Sequence, residues 1–470
     1  MAIQDLHLAD LHERAKAAGV PRFRMLTRDE LIEALETATP PVDPPEAEAE
    51  VPEAEAAAAS EVPAAEDLDR PRRGRRRGRR GRGRRPDAGE SRSDGEAERD
   101  ERETEADAHD DSERETADSQ APPETDVQTE EVSGVLDRLP QGYGFLRLHG
   151  LEPAEGDVYV SASQIRRCEL RPGDEVSGPA RAPRRGEHHR ALVRVGSVNG
   201  QEPEGERITF EDLTPVAPHR RLSLGGSSEP LARAVDAIAP LALGQRVLIL
   251  AEPRSGRTTL LRSIAASLDG GDIRLRVLLA DERPEEVTEW KRSLPGAEIV
   301  AAPADQEPSD QVRAAELAIG NAKRRAEAGE DVVVIIDSLS RLALGYRDPN
   351  RVKRLFGAGR ELAEEGSGSL TMIATVLDSD ERGAEVRELL ETTENVLLRL
   401  DAALASRGIV PSLLIAECSA TNEDRLRSPT ELDAARRLRA ELDELDPADA
   451  ARALGERIAS TESNAELLGG

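Results

Sequence analysis

Residues 248 to 268, LILAEPRSGRTTLLRSIAASL, run from an apolar strand through a turn into an amphipathic helix. This is the form of a phosphate-binding loop. In such a loop backbone N–H groups at a helix start cradle phosphates, a lysine neutralises the outer ones, and a Ser or Thr hydroxyl takes a Mg²⁺ ion. AEPRSGRTT supplies the turn, Gly256 and Thr258, but Ala251 stands where the usual first glycine would be and Arg257 at the lysine position. Alone the match is weak. DVVVIIDSLSRL adds a second part: a buried strand ending in Asp337 delivers a carboxylate to the sheet edge where α/β folds bind ligands. ADERPEEV adds a third, since Glu282 follows another strand and could orient a water for attack. Jointly they favour a nucleotide site, with ATP and Mg²⁺ as its expected ligands.

The elements that must position these groups are legible from periodicity. From about residue 215 apolar runs with little alternation (RVLILA, RLRVLLADE, AEIVAA, DVVVIID, LTMIATV, VLLRL) alternate with helical stretches such as PEEVTEWKRSL and SDQVRAAELAIGNAKRRAEAG. Strand, helix, strand, helix predicts a parallel α/β sheet over 215–470, closed by a helical tail from about 428. Residues 132–200 instead carry short strand-like runs with turn signals (SGVLDRLP, GYGFLRL, DVYVSASQI, GDEVSGPA, ALVRVGSVNG), which predict a compact β-barrel. Leucines and alanines at helical spacing over 4–36 predict a small helical bundle within 1–37.

Between bundle and barrel, 38–131 reads as linker. Aromatics make up 2% of the chain and charged residues 33%, so part of it has too little apolar surface to fold. The net charge of -29 hides a sharp division. RPRRGRRRGRRGRGRR at 70–85 is an Arg/Gly block, and 87–131 is nearly its mirror in sign. It is either a solvated spacer or an arm for RNA phosphates with which the acidic run competes. Two cysteines far apart, Cys168 and Cys418, fit a reducing compartment, and no apolar run predicts a membrane span or secretory signal, so a cytoplasmic protein is expected.

With these residues in view the chain resembles the bacterial transcription termination factor Rho family. The resemblance rests on GYGFLR, DVYVSASQIRR and LRPGDEVSGPAR in the barrel, and on TFEDLTPVAP, LADERPEEVTEW, DVVVIIDSLSRLA, KRLFGAGR, SLTMIATV and IASTESNAELL beyond it. It implies a multidomain protein: a small N-terminal helical bundle, an OB/cold-shock-like β-barrel and an α/β RecA-like P-loop ATPase domain. The barrel would bind single-stranded, pyrimidine-rich RNA, with Tyr143, Phe145 and Tyr159 stacking bases and Arg147 and Arg166 handling phosphates or base edges. ATP would lie between subunits of a homohexamer. Its binding residues would be Gly244, Gln245 and Arg246 before the strand, Arg254, Ser255, Gly256, Arg257, Thr258 and Thr259 in the loop, and Arg283. Glu282, Arg257 and Asp337 would be the catalytic set, with Mg²⁺ on Thr258 and Asp337. RNA polymerase and elongation factors are the partners the resemblance implies.

The sequence departs from that family at four places. Arg257 replaces the loop lysine with a larger, planar fork. The Gly-rich loop that grips RNA inside the ring is absent, LALGY running through RDPNR into VKRLFGAGR. The other gripping loop reads LLETTEN, placing Glu391 at a lysine position. The arginine finger falls on Thr421, with Arg425 one turn beyond. Two expectations follow: a Rho-type RNA-dependent ATPase and translocase that releases transcripts, or a Rho-derived RNA-binding protein that hydrolyses ATP slowly and does not translocate.

Overall fold

The computed structural model describes residues 129–469 except Glu206, Ala304 and Asp380, together with Ile32. The expected helical bundle, apart from Ile32, and the charged linker up to 128 lie outside the described residues.

The first body is a small barrel. Its elements are β1 (Thr129–Arg138), β2 (Gly144–Arg147), β3 (Val158–Val160), α1 (Ala162–Arg167), β4 (Glu175–Arg181), β5 (Arg190–Leu192) and β6 (Ser197–Val198). Strand order is β1-β2-β3-β5-β4-β6, and β4 pairs back with β1, which closes the sheet on itself. The alternation that suggested strands is the pleat: Val176 and Ala180 of β4 point inward on either side of the buried Gly178. They join Leu136, Leu146, Val158, Val160, Ile165 and Val198 in one core. Gly144 is required where β2 crosses β1, since a Cβ there would lie 2.8 Å from the Asp137 carbonyl oxygen. One predicted strand stretch turns helical: Ser161 and Gln164 form a reciprocal capping box that starts α1 within DVYVSASQI.

The second body is the α/β domain. Its elements are β7 (Pro215–Val216), α2 (Pro230–Ile238), β8 (Arg246–Ala251), α3 (Arg257–Leu268), β9 (Arg274–Glu282), α4 (Pro284–Ser293), β10 (Glu298–Pro303), α5 (Pro308–Glu327) and β11 (Asp331–Asp337). Then come α6 (Leu339–Leu342), α7 (Asn350–Phe356), β12 (Arg360–Leu362), β13 (Ser369–Leu377), α8 (Glu381–Leu390), β14 (Val396–Arg399), α9 (Ala402–Ser406) and β15 (Ser419–Ala420). The helices α10 (Pro429–Asp443), α11 (Pro447–Ala459) and α12 (Asn464–Leu467) end it. The sheet runs β10-β9-β11-β13-β8-β14-β15, parallel from β10 to β14, with β15 antiparallel at the edge. Along β8 the residues feed two cores in turn, Val247 and Ile249 one side of the sheet, Leu248 and Leu250 the other. Burial on both faces is why the strand sequences do not alternate.

Barrel and α/β domain meet along α5. Asn321 Nδ2 donates to the Gly173 carbonyl at 2.9 Å, and a Cβ on Gly173 would come within 2.3 Å of the Asn321 nitrogen. Arg171 pairs with Glu327 at 3.1 Å. Among the described residues no helix is long and apolar enough to cross a membrane.

Candidate nucleotide site and RNA-binding face

The turn between β8 and α3 is built to leave polar groups open. Arg254 (φ 65) and Gly256 (φ 89) take left-handed backbone conformations, and Gly256, as the residue before the helix, gives it no side-chain cap. The first N–H groups of α3 therefore remain available, at the positive end of the helix dipole. Ser255 is buried and its hydroxyl has no partner among the described residues, while its carbonyl accepts from Ser412 Oγ at 2.6 Å. A left-handed glycine, an uncapped helix start and an orphaned hydroxyl make a cradle for an anion such as a phosphate. Thr258 is half-buried in the first turn of α3, and Thr259 is exposed.

Beside this cradle the sheet delivers its carboxylates. Glu282 ends β9 and Asp337 ends β11, strands paired in parallel, so both groups reach the same edge as the loop after β8. Arg257 lies between them. Its Nη2 donates to Glu282 Oε1 at 2.9 Å and its Nε lies 3.0 Å from Asp337 Oδ1. Thr375 Oγ1 also donates to Asp337 Oδ1, at 2.9 Å, and Arg341 Nη1 donates to Glu282 Oε1 at 2.7 Å. Burial pushes the Asp337 carboxyl up from its ordinary value, against the pull of Arg257. Burial, and then the nearby Asp337 charge, do the same to Glu282, against Arg341 and Arg257. Arg283, next along the chain, is exposed at the start of α4.

Gly244, Gln245 and Arg246 are not part of this cradle within the chain. They stand at the opposite end of β8, a strand of six residues and therefore roughly 20 Å long. Each has a local task there. Gly244 passes so close to Glu361 that a Cβ would meet its nitrogen at 2.3 Å, Gln245 Oε1 accepts from the Ala242 N–H, and Arg246 donates to the Thr393 and Gly359 carbonyls. Arg341 was missed by the sequence reading. Its only signal was a basic residue one helical turn beyond Asp337 in DSLSRL.

On the barrel, β2 and β3 bring three rings together. Phe145 pairs with Tyr159 in the β-ladder, and the ring centroids of Tyr143, Phe145 and Tyr159 lie 5.6 to 6.1 Å apart. All three are partly exposed. A fourth ring, His189, packs edge-on against Phe145 at 4.9 Å, and it borders a groove of about 700 Å³ shared with Tyr159, Arg167, Arg181 and Arg184. Sequence reading passed over His189; the paired histidines in GEHHR were the available hint. Arg166 is exposed in the last turn of α1.

Arg147 is placed otherwise than expected. It is 6% exposed, with Nε donating to Asp137 at 3.1 Å and Nη1 to Asp157 at 2.5 Å. Asp137 also takes Arg313 of α5, so this carboxylate ties the barrel to the α/β domain. With three of its five N–H groups on two buried carboxylates and its side chain buried, the Arg147 guanidinium is turned into the barrel, where it lies 5.8 Å from the ring centre of Phe145.

Two family models match the chain. The RNA-binding domain of Rho termination factor matches 132–204, the barrel, and the nucleotide-binding domain of the ATP synthase alpha/beta family matches 232–353. The transcription termination factor Rho of Haemophilus influenzae is 41% identical over 364 residues, 71% of this chain and 86% of the relative. This chain belongs to the transcription termination factor Rho family. Rho of Aquifex aeolicus is 39% identical over 72% of this chain and 84% of its own, and Rho of Mycobacterium tuberculosis 37% over 76% and 64%. The departures expected from the Rho pattern have definite places in the structure. Only Tyr346–Pro349 separate the turn after α6 from α7, where the Gly-rich loop is expected to be absent. Glu391 is exposed beside Arg387, at 3.6 Å, and Thr421 and Arg425 are both exposed.

Proposed function

We propose that the chain is an RNA-dependent ATPase of transcription termination, in which nascent single-stranded RNA lies across the rings of the barrel and ATP binds at the start of α3. The observation that carries the reading is the convergence of the open cradle at Ser255 and Gly256 with Glu282 and Asp337 at one sheet edge. The phosphates would take the free N–H groups of Gly256 to Thr259, with Arg254 beside them. Glu282 would accept the proton of the attacking water, and Arg341 would hold it in place. Thr258 and Asp337 are of the right kind to hold Mg²⁺, which supplies positive charge to the phosphates; Arg257 must first turn away from Asp337. Tyr143, Phe145 and Tyr159, with His189, would stack bases, and Arg166 would contact the backbone. A homohexamer, RNA polymerase as partner, and a cytoplasmic setting belong to the same proposal.

A second reading, slow hydrolysis without translocation, is favoured by three features: the hold of Arg257 on both carboxylates, the acidic Glu391, and Thr421 at the finger position. The test is phosphate release by the purified protein with and without poly-C. Release that rises with poly-C supports an RNA-dependent ATPase; release indifferent to RNA removes the link between barrel and ATPase domain.

A further inference from the structure

The Arg257 side chain does something a lysine cannot. Its Nε and Nη2 form one planar edge, and that edge spans two carboxylates, Asp337 at 3.0 Å and Glu282 at 2.9 Å. An ammonium is a compact point charge with no such fork. The three side chains are 13%, 1% and 11% exposed, so the pairs are shielded from water and only weakly screened by salt. Arg341 adds a second guanidinium on Glu282 and Thr375 a second donor on Asp337. Arg257 therefore faces both carboxylates before any ligand arrives, while Arg341 is shared between Glu282 at 2.7 Å and Asp281 at 3.5 Å.

This balance bears on the metal. In a phosphate site with ionised carboxylates at its edge, a divalent cation offsets their repulsion of the incoming phosphates as well as the phosphates' own charge. Here the first part of that work is already done. A cation at Asp337 must also displace a guanidinium from a carboxylate that is 1% exposed, and doing so leaves charges in low dielectric while they re-pair.

We infer that Arg257 is a resident counter-ion of Asp337 and Glu282, standing where a divalent cation would otherwise balance them, and that nucleotide binding in this chain is consequently almost independent of Mg²⁺. The inference rests on the nucleotide site proposed above. It implies that the cation and Arg257 compete for Asp337, so that Arg257→Lys makes binding depend on the metal.

The experiment is equilibrium titration of the full chain with a fluorescent ADP analogue, once in Mg²⁺ and once in EDTA. Three proteins are compared: wild type, Arg257→Lys and Arg257→Gln, each checked for native thermal unfolding. Wild type should change its Kd by less than about threefold between the two buffers, and the lysine variant by about tenfold or more, a gap of at least half a decade that such titrations resolve. The glutamine variant, with the carboxylates uncompensated, should bind measurably only in Mg²⁺. If wild type loses tenfold or more in EDTA, the counter-ion inference is overturned and the nucleotide site stands. The inference also fails if both variants show the wild-type ratio. Wild type that binds in neither buffer overturns the nucleotide site and the inference together.

Discussion

Glu282 is held by two guanidinia, and the chemistry asked of it is sensitive to both. A group that accepts a proton from water must be ionised, and burial raises its pKa while Arg341 and Arg257 lower it. Removing Arg341 takes away one of the charges that favour the ionised form. The acid limb of the pH profile for phosphate release should then move to higher pH in Arg341→Gln, with the plateau reached only under more alkaline conditions. A profile unmoved on the acid side would mean that Glu282 is not the titrating base. At this scale the sequence was informative about residue types and silent about their pairing. Asp337, Glu282 and Gly256 were legible because each ends or starts a local element. That Arg257 turns back to the carboxylates depends on β9 and β11 being neighbours, which spacing along the chain does not contain.

Among the elements, β2 and β3 make the sharpest contrast. Tyr143, Phe145 and Tyr159 present partly exposed rings, whereas Arg147, two residues from Phe145, is a buried strut. Tyr143→Ala with Phe145→Ala should weaken oligo-C binding by about 1 to 3 kcal/mol for each stacking ring removed, with little change in stability. Arg147→Ala should do the reverse first. It leaves Asp157 buried without its charge partner and Asp137 with Arg313 alone, at a cost to stability of about 3 to 5 kcal/mol, read as a fall in thermal midpoint. A stable Arg147→Ala that binds RNA poorly would restore the direct phosphate contact. The strands themselves were readable, since alternation in β4 and continuous apolar runs in β8 and β11 follow from burial on one face or two. The run SASQI was misread as strand because a capping box, a side-chain device, overrode the alternation. Gly244 to Arg246 were expected at the nucleotide from the Rho resemblance, with ATP between subunits; within one chain the whole length of β8 separates them from the loop.

For the whole molecule, the order of its parts was legible from composition: a charged stretch, then short strands, then alternating strands and helices. The seam between barrel and α/β domain was not, because Asp137 with Arg313 and Gly173 with Asn321 join residues more than a hundred positions apart. The Arg/Gly block at 70–85 carries eleven arginines and bears on affinity rather than on fold. If it contacts RNA, deleting 70–85 should flatten the dependence of log affinity on log salt by about 0.7 for each phosphate that the arm had neutralised. An unchanged slope would make it a spacer.

The central proposal is that this Rho-family chain keeps an RNA-dependent ATP site; in its second reading turnover is restrained by Arg257 and by Thr421 at the expected finger position. Phosphate release on poly-C, measured for wild type, Arg257→Lys, Thr421→Arg and the double variant, tests it most directly. Stabilising the developing charge takes groups on both sides of the transferred phosphate. Wild type should therefore turn over slowly, Arg257→Lys should raise the rate modestly, and the double variant should gain more than the two single changes added as free energies. A wild-type chain that hydrolyses ATP briskly on poly-C, with Arg257→Lys and the double variant no faster, would contradict the account.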